Sequence, residues 1–121
     1  VAAALDRLDL DALDALVIEN VGNLVCPANY DLGEAMKVVL LSTTEGDDKP
    51  LKYPAMFRNA SVLVINKTDL VPYVHADLEA IIRNARQINP RLEVFQTSCE
   101  TGAGLDAWCE WLERHAAVAH A

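Results

Sequence analysis

Two kinds of apolar pattern alternate along the chain. Short β-type runs occur at 15–18, 37–42, 61–65 and 93–97, separated by turn residues or by stretches with helical spacing. The first three runs are unbroken rather than alternating, which predicts strands covered on both faces, as in a parallel sheet. Between the third and fourth, Leu78, Ile81, Ile82, Ala85 and Ile88 recur at helical spacing, with Asp77 placed to cap the helix and Asn89-Pro90 to stop it. After the fourth, Leu105, Trp108, Cys109 and Leu112 form a second apolar stripe, entered through Gly102 and Gly104. That stripe reads as core. Residues 50–59 are expected to hold a short helix, 1–8 the tail of another, and 116–121 a frayed end. Strands alternating with helices predict an α/β fold with a parallel sheet and right-handed crossovers. No repeat, low-complexity tract or linker interrupts the 121 residues, so 1–121 reads as one domain or a portion of one.

Composition narrows the function classes. Hydrophobic residues make up 52% and charged residues 23%, an ordinary globular balance that excludes wholesale disorder. The net charge of −8 argues against sequence-independent binding to nucleic acid, which needs basic surface to neutralise phosphates. No apolar run approaches the ~20 residues that span a bilayer. Three widely spaced cysteines, Cys26, Cys99 and Cys109, do not form a disulfide framework and point to a reducing cytoplasm. The chain opens at Val1 inside an Ala/Leu/Asp stretch, which reads as a truncated start.

Ligands of parallel sheets sit beyond the carboxyl ends of the strands. Three of the runs end there in residues with chemical potential: Glu19, Asn66-Lys67-Thr68-Asp69, and Ser98-Cys99. An Asn-Lys-x-Asp sequence after an apolar strand suits the reading of guanine. The two oxygens of Asp69 can accept from both N1–H and the exocyclic N2–H of the base. Adenine has no donor at N1, so it would leave a desolvated carboxylate oxygen unpaired. Asn66 can bond toward N7 and brace the loop, while the aliphatic stem of Lys67 lies across the base. Three such residues arise by chance in roughly one or two chains of this length per hundred, so a plain polar turn is the competing reading. Ser98-Cys99-Glu100-Thr101-Gly102 follows the next strand and so lies beside the first loop. In G proteins a Ser-Ala pair at this point presents a backbone N–H to guanine O6, and here Cys99 takes the place of the alanine. Thr101 can alternatively serve as a helix N-cap.

In order along the chain, these motifs resemble one family, the hydrogenase maturation (nickel-incorporation) GTPases, HypB. The resemblance is carried by Ile18-Glu19-Asn20-Val21-Gly22-Asn23-Leu24-Val25-Cys26-Pro27, by Asp31-Leu32-Gly33-Glu34, and by Thr44-Glu45-Gly46-Asp47-Asp48-Lys49-Pro50-Leu51-Lys52-Tyr53-Pro54. Val64-Ile65-Asn66-Lys67-Thr68-Asp69-Leu70, Thr101-Gly102-Ala103-Gly104-Leu105 and Trp108 complete it, from about Ala12 to Leu112. Urease accessory GTPases resemble the stretch from Asn66 to Tyr73 almost as well. They lack the Cys26-Pro27 segment and the 47–54 block as they stand here.

The resemblance implies a P-loop NTPase fold of the G-domain, SIMIBI-like kind, a three-layer αβα sandwich. It also implies a GTPase that binds GTP or GDP with Mg²⁺ and couples hydrolysis to nickel delivery into [NiFe] hydrogenase. Glu19 would sit near Mg²⁺ and the γ-phosphate, and Gly22 would approach the phosphate through its backbone N–H. Cys26 would belong to a Ni²⁺ or Zn²⁺ site completed by an upstream Cys-His pair, whereas alone it reads as a small buried hydrophobe. The expected partners are hydrogenase maturation proteins and the hydrogenase large subunit. A nucleotide-dependent homodimer is expected to use Leu70 and Val74, spaced i, i+4 beside the base loop, for which local packing is the competing role. His75, His115 and His120 read as solvated surface residues.

No G-x-x-x-x-G-K-[ST] sequence occurs in the chain, so it reads as the C-terminal, base-reading half of a G domain that is not expected to hydrolyse GTP alone. Half a parallel sheet is also expected to leave an apolar edge exposed. A non-catalytic module that binds nucleotide or partner, and a bare fold fragment, are the alternatives.

Overall fold

A computed structural model describes residues 36–45, 48–74 and 77–120, together with residues 7, 12, 16 and 17. Three strands, β1 (Val38–Ser42), β2 (Val62–Asn66) and β3 (Glu93–Gln96), pair in parallel in the order β1-β2-β3, with Leu40 opposite Val64 and Val64 opposite Phe95. The helices are α1 (Lys49–Lys52), α2 (Pro54–Arg58), α3 (Leu78–Ile88) and α4 (Leu105–His120). Short 3₁₀ turns at Thr43–Glu45 and Thr68–Tyr73 leave the carboxyl ends of β1 and β2.

The sheet separates two cores. On one face Val39, Leu41, Leu63 and Ile65 pack against Phe57 of α2 and Ile81 and Ala85 of α3. On the other, Val62 and Val64 meet Trp111 of α4, with Met36, Phe95 and Trp108 around them. Helices therefore cover both faces, and the layers are αβα. The unbroken apolar run of β2 is explained by this, since Val62, Leu63, Val64 and Ile65 are all buried. β1 departs from the expectation. Its residues alternate, with Val39 and Leu41 buried but Val38 42% and Leu40 63% exposed, because among the described residues α4 packs over β2 and β3 and not over the outer face of β1. Of the run at 15–18, only Leu16 and Val17 fall among the described residues. Both are exposed, and neither belongs to a strand.

α3 is bounded as its sequence requires. The Asp77 carboxylate accepts from the Ala80 N–H at 3.2 Å, and Ile81 and Ala85 are fully buried. Asn89 does more than stop the helix: its Nδ2 donates to the carbonyls of Phe57, Arg58 and Ala60 at 3.1, 3.3 and 2.8 Å, and its Oδ1 accepts from Arg91 N–H at 3.1 Å. One side chain thus ties the end of α3 to the end of α2.

The buried face of α4 differs from the stripe expected. Cys109 is exposed and Leu112 is 38% exposed, while Trp111 is 3% exposed. Trp111 stacks on Trp108 with centroids 5.5 Å apart, meets Phe95 edge-on at 6.1 Å and stacks on His115 at 3.8 Å. Large rings dominate the area an amphipathic helix can bury, so Trp108, Trp111 and His115 define the inner face. This holds even though the Trp111 indole N–H finds no acceptor among the described residues. His115 is accordingly half-buried, with Nδ1 2.8 Å from the Trp111 carbonyl oxygen, and is not the solvated residue expected. The helix continues through 116–120, residues expected to fray.

Candidate functional site

The loops after β2 and β3 meet at the carboxyl end of the sheet. Three residues that are polar yet buried organise them: Thr43, Thr97 and Ser98, at 1%, 1% and 0% exposure. Each hydroxyl donates to a different residue of the Asn66–Asp69 loop. Thr97 Oγ1 donates to Asn66 Oδ1 at 3.1 Å, Thr43 Oγ1 to the Lys67 carbonyl at 2.7 Å, and Ser98 Oγ to Asp69 Oδ1 at 2.7 Å. A buried hydroxyl needs a partner, and all three find one in this loop.

The consequences for the candidate residues are specific. Asn66 Oδ1 also accepts the Cys99 backbone N–H at 3.3 Å, which fixes its orientation and turns Nδ2 to the other side as a donor. Asp69 is half-buried and stays an acceptor, since a carboxylate oxygen held by one hydroxyl keeps lone pairs to spare. Thr68 N–H and Oγ1 both donate to the Thr97 carbonyl, at 3.1 and 2.9 Å, so the two loops are laced together by backbone as well. Lys67 is exposed, and its backbone is left-handed, with φ 63° and ψ 37°.

The Ser98 loop is held from behind. Thr101 N–H donates to Ser98 Oγ at 3.1 Å, Gly102 N–H to the Ser98 carbonyl at 2.8 Å, and Ser98 N–H to the Ala103 carbonyl at 2.9 Å. Thr101 Oγ1 accepts from Ala103 N–H within this turn, ahead of α4, which begins at Leu105. Gly104 closes it: φ is +75°, and a Cβ there would stand 2.0 Å from the Gln96 carbonyl oxygen. Only glycine lets α4 start this close to the end of β3.

Leu70 and Val74 follow the loop in a different geometry from that expected. The 3₁₀ turn has about three residues per turn, and Val74 ends it in extended backbone, so the two do not share a helical face. Both are half-buried, while Tyr73 between them is 83% exposed. Glu19, Gly22 and Cys26 lie outside the described residues, as does His75. Among the described residues no three His, Cys, Asp or Glu side chains gather in a metal-binding group, and no helix is long and apolar enough to cross a membrane. Lys49 and Lys52 are engaged locally: Lys52 pairs with Asp48 at 3.1 Å, and Lys49 lies over the Tyr53 ring at 5.4 Å. A cavity of about 430 Å³ opens at the opposite, amino end of the strands, between Met36, Ser61, Arg91 and Trp111, away from these loops.

Thr43 and Thr97 escape sequence inspection. Their one signal is a hydroxyl at the end of an apolar strand, where burial forces it to find an acceptor.

A parallel αβα sheet with polar loops at the carboxyl ends of its strands is the architecture of nucleotide-binding domains. The chain belongs to the CobW/HypB/UreG nucleotide-binding domain family, whose model matches residues 1–96. It is 55% identical over 113 residues to the hydrogenase maturation factor HypB of Escherichia coli (strain K12), covering 93% of this chain and 39% of that protein. Two solved structures share its fold. HypB from Archaeoglobus fulgidus superposes with a TM-score of 0.74 at 46% identity, over 76% of this chain and 50% of that one. HypB from Helicobacter pylori in complex with nickel superposes with a TM-score of 0.75 at 38% identity, over 79% of this chain and 45% of that one. The chain thus spans about two-fifths of its Escherichia coli relative, and its three strands are part of a P-loop NTPase domain.

Proposed function

We propose that this chain supplies the guanine-reading part of a GTPase that delivers nickel during maturation of [NiFe] hydrogenase. The observation that carries the reading is the set of hydroxyl bonds onto Asn66, Lys67 and Asp69, which holds an acceptor carboxylate and an amide donor at the carboxyl end of the sheet. Asp69 accepts from guanine N1–H and N2–H, Asn66 Nδ2 donates toward N7, and the Lys67 stem covers the base. Ser98 holds Asp69. Guanine O6 is assigned to the Cys99 N–H, whose acceptor here is Asn66 Oδ1, so the two oxygens would share that donor.

The phosphate and metal functions fall on other residues. Glu19 would serve the Mg²⁺ ion that accompanies the nucleotide, where a carboxylate can order a metal-bound water, Gly22 would face the phosphate through its backbone N–H, and Cys26 would contribute a thiolate suited to Ni²⁺ or Zn²⁺. Leu70 and Val74, beside the base loop, serve as the contact of a nucleotide-dependent homodimer. The maturation partners are other hydrogenase maturation proteins and the hydrogenase large subunit, and the setting is the cytoplasm. Support for the nickel-maturation role comes from the relatives, hydrogenase maturation factors of which one was solved with nickel.

The test is nucleotide competition on the full-length protein with Asp69→Asn. Xanthine carries a carbonyl where guanine carries its amino group, so an asparagine amide at this position complements xanthine. Loss of a paired contact to a charged group is worth about 1.5–3 kcal/mol, so GTP affinity is expected to fall about 10- to 150-fold while XTP gains. A variant with the parental preference between the two nucleotides would sink the guanine reading at Asp69, and if neither nucleotide binds to parent or variant, the reading that remains is a module that binds partners.

A further inference from the structure

Thr43 belongs to neither base-facing loop. It lies on the turn that leaves β1, 24 residues before Lys67, and is buried to 1% exposure, yet its hydroxyl reaches the Lys67 carbonyl at 2.7 Å. Lys67 is the residue of the loop whose backbone is hardest to hold. Among the described residues it alone has a positive φ without being glycine. A left-handed conformation crowds the Cβ of an ordinary residue against its own backbone and persists where its surroundings over-determine it. The surroundings here are explicit. The Lys67 carbonyl accepts Leu70 N–H at 3.0 Å from within the loop, and the next residue, Thr68, is tied by two bonds to the Thr97 carbonyl. The third anchor, from the turn after β1, is Thr43.

Lys67 stands between Asn66 and Asp69. Its left-handed turn sets the path by which the chain leaves β2 and arrives at Asp69 beside Ser98. A right-handed Lys67 would send the chain elsewhere and part Asp69 from the Ser98 hydroxyl.

We infer that Thr43 is a positioning residue for base recognition: its hydroxyl locks Lys67 in the left-handed conformation and thereby sets Asn66 and Asp69 at the spacing a guanine requires. The inference rests on the guanine reading of this loop and adds to it a third chain segment, the end of β1, which touches no base itself. Discrimination at the 2-amino group then depends on a hydroxyl outside both motifs.

The experiment uses the full-length protein and compares GDP with inosine diphosphate, which lacks the 2-amino donor that Asp69 accepts. Thr43→Val keeps the side-chain shape and removes the hydroxyl. It is expected to lower GDP affinity about 3- to 10-fold, the effect of one buried hydrogen bond, and to shrink the preference for GDP over inosine diphosphate. Thr43→Ser keeps the hydroxyl and is expected to retain the parental preference. A role in packing alone moves thermal stability but leaves that preference intact. A Thr43→Val protein with the parental preference overturns the inference. If valine is not tolerated, a Thr43→Ser protein that folds but loses the preference overturns it as well. Asp69→Asn is run in parallel. A switch toward xanthosine diphosphate there, with Thr43→Val unchanged, removes Thr43 from recognition and keeps the guanine reading. An unchanged Asp69→Asn removes both.

Discussion

Three hydroxyls and one amide carry much of the local order, and they do it by satisfying partners that burial would otherwise orphan. Asn89 shows the scale of the effect. Its single amide serves the carbonyls of Phe57, Arg58 and Ala60 while its oxygen takes the Arg91 N–H. Asn89→Ala leaves those groups to water or to nothing. It is expected to cost about 1–3 kcal/mol, measured as a lower midpoint of denaturant unfolding with an unchanged slope. Asn89→Asp retains the acceptor and loses both donors, so it is expected to be no better than alanine. The contrast with Asp69 is instructive. Asn89 binds only backbone of its own fold, whereas Asp69 is held by Ser98 with acceptor capacity left over, which suits the base contact proposed for it.

At the scale of the element, α4 and β1 show how far a pattern goes. Leu105, Trp108, Cys109 and Leu112 make a fair helical stripe, but the helix rotates to bury Trp111 and to set His115 against it. Trp111→Ala is therefore expected to cost about 3–5 kcal/mol by chemical denaturation, and Cys109→Ala to stay within about 0.5 kcal/mol. Equal effects would restore the original stripe. α1 carries a different expectation. Asp48 accepts from Lys52 one turn away, and this hydrogen bond holds its carboxyl below the ordinary carboxylate value, with the Lys52 and Lys49 charges adding to it and desolvation opposing. A lowered carboxyl supports the folded state above the ordinary carboxylate range, and that support is lost as the pH falls through the lowered value. Both side chains are more than half exposed, so the contribution is small. An NMR titration is expected to show Asp48 moving up toward the ordinary carboxylate value in Lys52→Met, because the largest lowering contribution is removed.

For the molecule as a whole, the carboxyl end of the sheet concentrates the polar order and the amino end holds the cavity. Ligand chemistry in parallel sheets follows the first of these, because successive loops leave the strands there side by side. The exchange of GTP for XTP preference in Asp69→Asn tests that end directly. The open outer face of β1, with Val38 and Leu40 exposed, belongs to the same picture: among the described residues α4 packs on β2 and β3 and not on β1. This is an uncovered face of side chains on a strand that pairs with β2, where the unbroken apolar run had predicted burial on both faces.

How much was legible follows from the range of each interaction. Strands, the bounds of α3 and the parallel sheet were readable because apolar period, caps and breakers act within a few residues: Asp77, Asn89 and the run from Val62 to Ile65 sit where their local chemistry puts them. The Asn66-Lys67-Thr68-Asp69 and Ser98-Cys99 motifs were readable for the same reason. What brings them together was not. Thr43, Thr97 and Ser98 reach partners 24, 31 and 29 residues away, and nothing local to any of them names its acceptor. Local pattern was enough for three of the four predicted strands, for α3 and for naming the two loops proposed to meet a base, and it misled at 15–18, where Leu16 and Val17 lie in no strand. Contacts between distant segments settled that three buried hydroxyls converge on one loop, that Lys67 turns left-handed there, and that α4 presents Trp111 to the sheet. These depend on which surfaces meet, and burial then forces every polar group between them to find a partner.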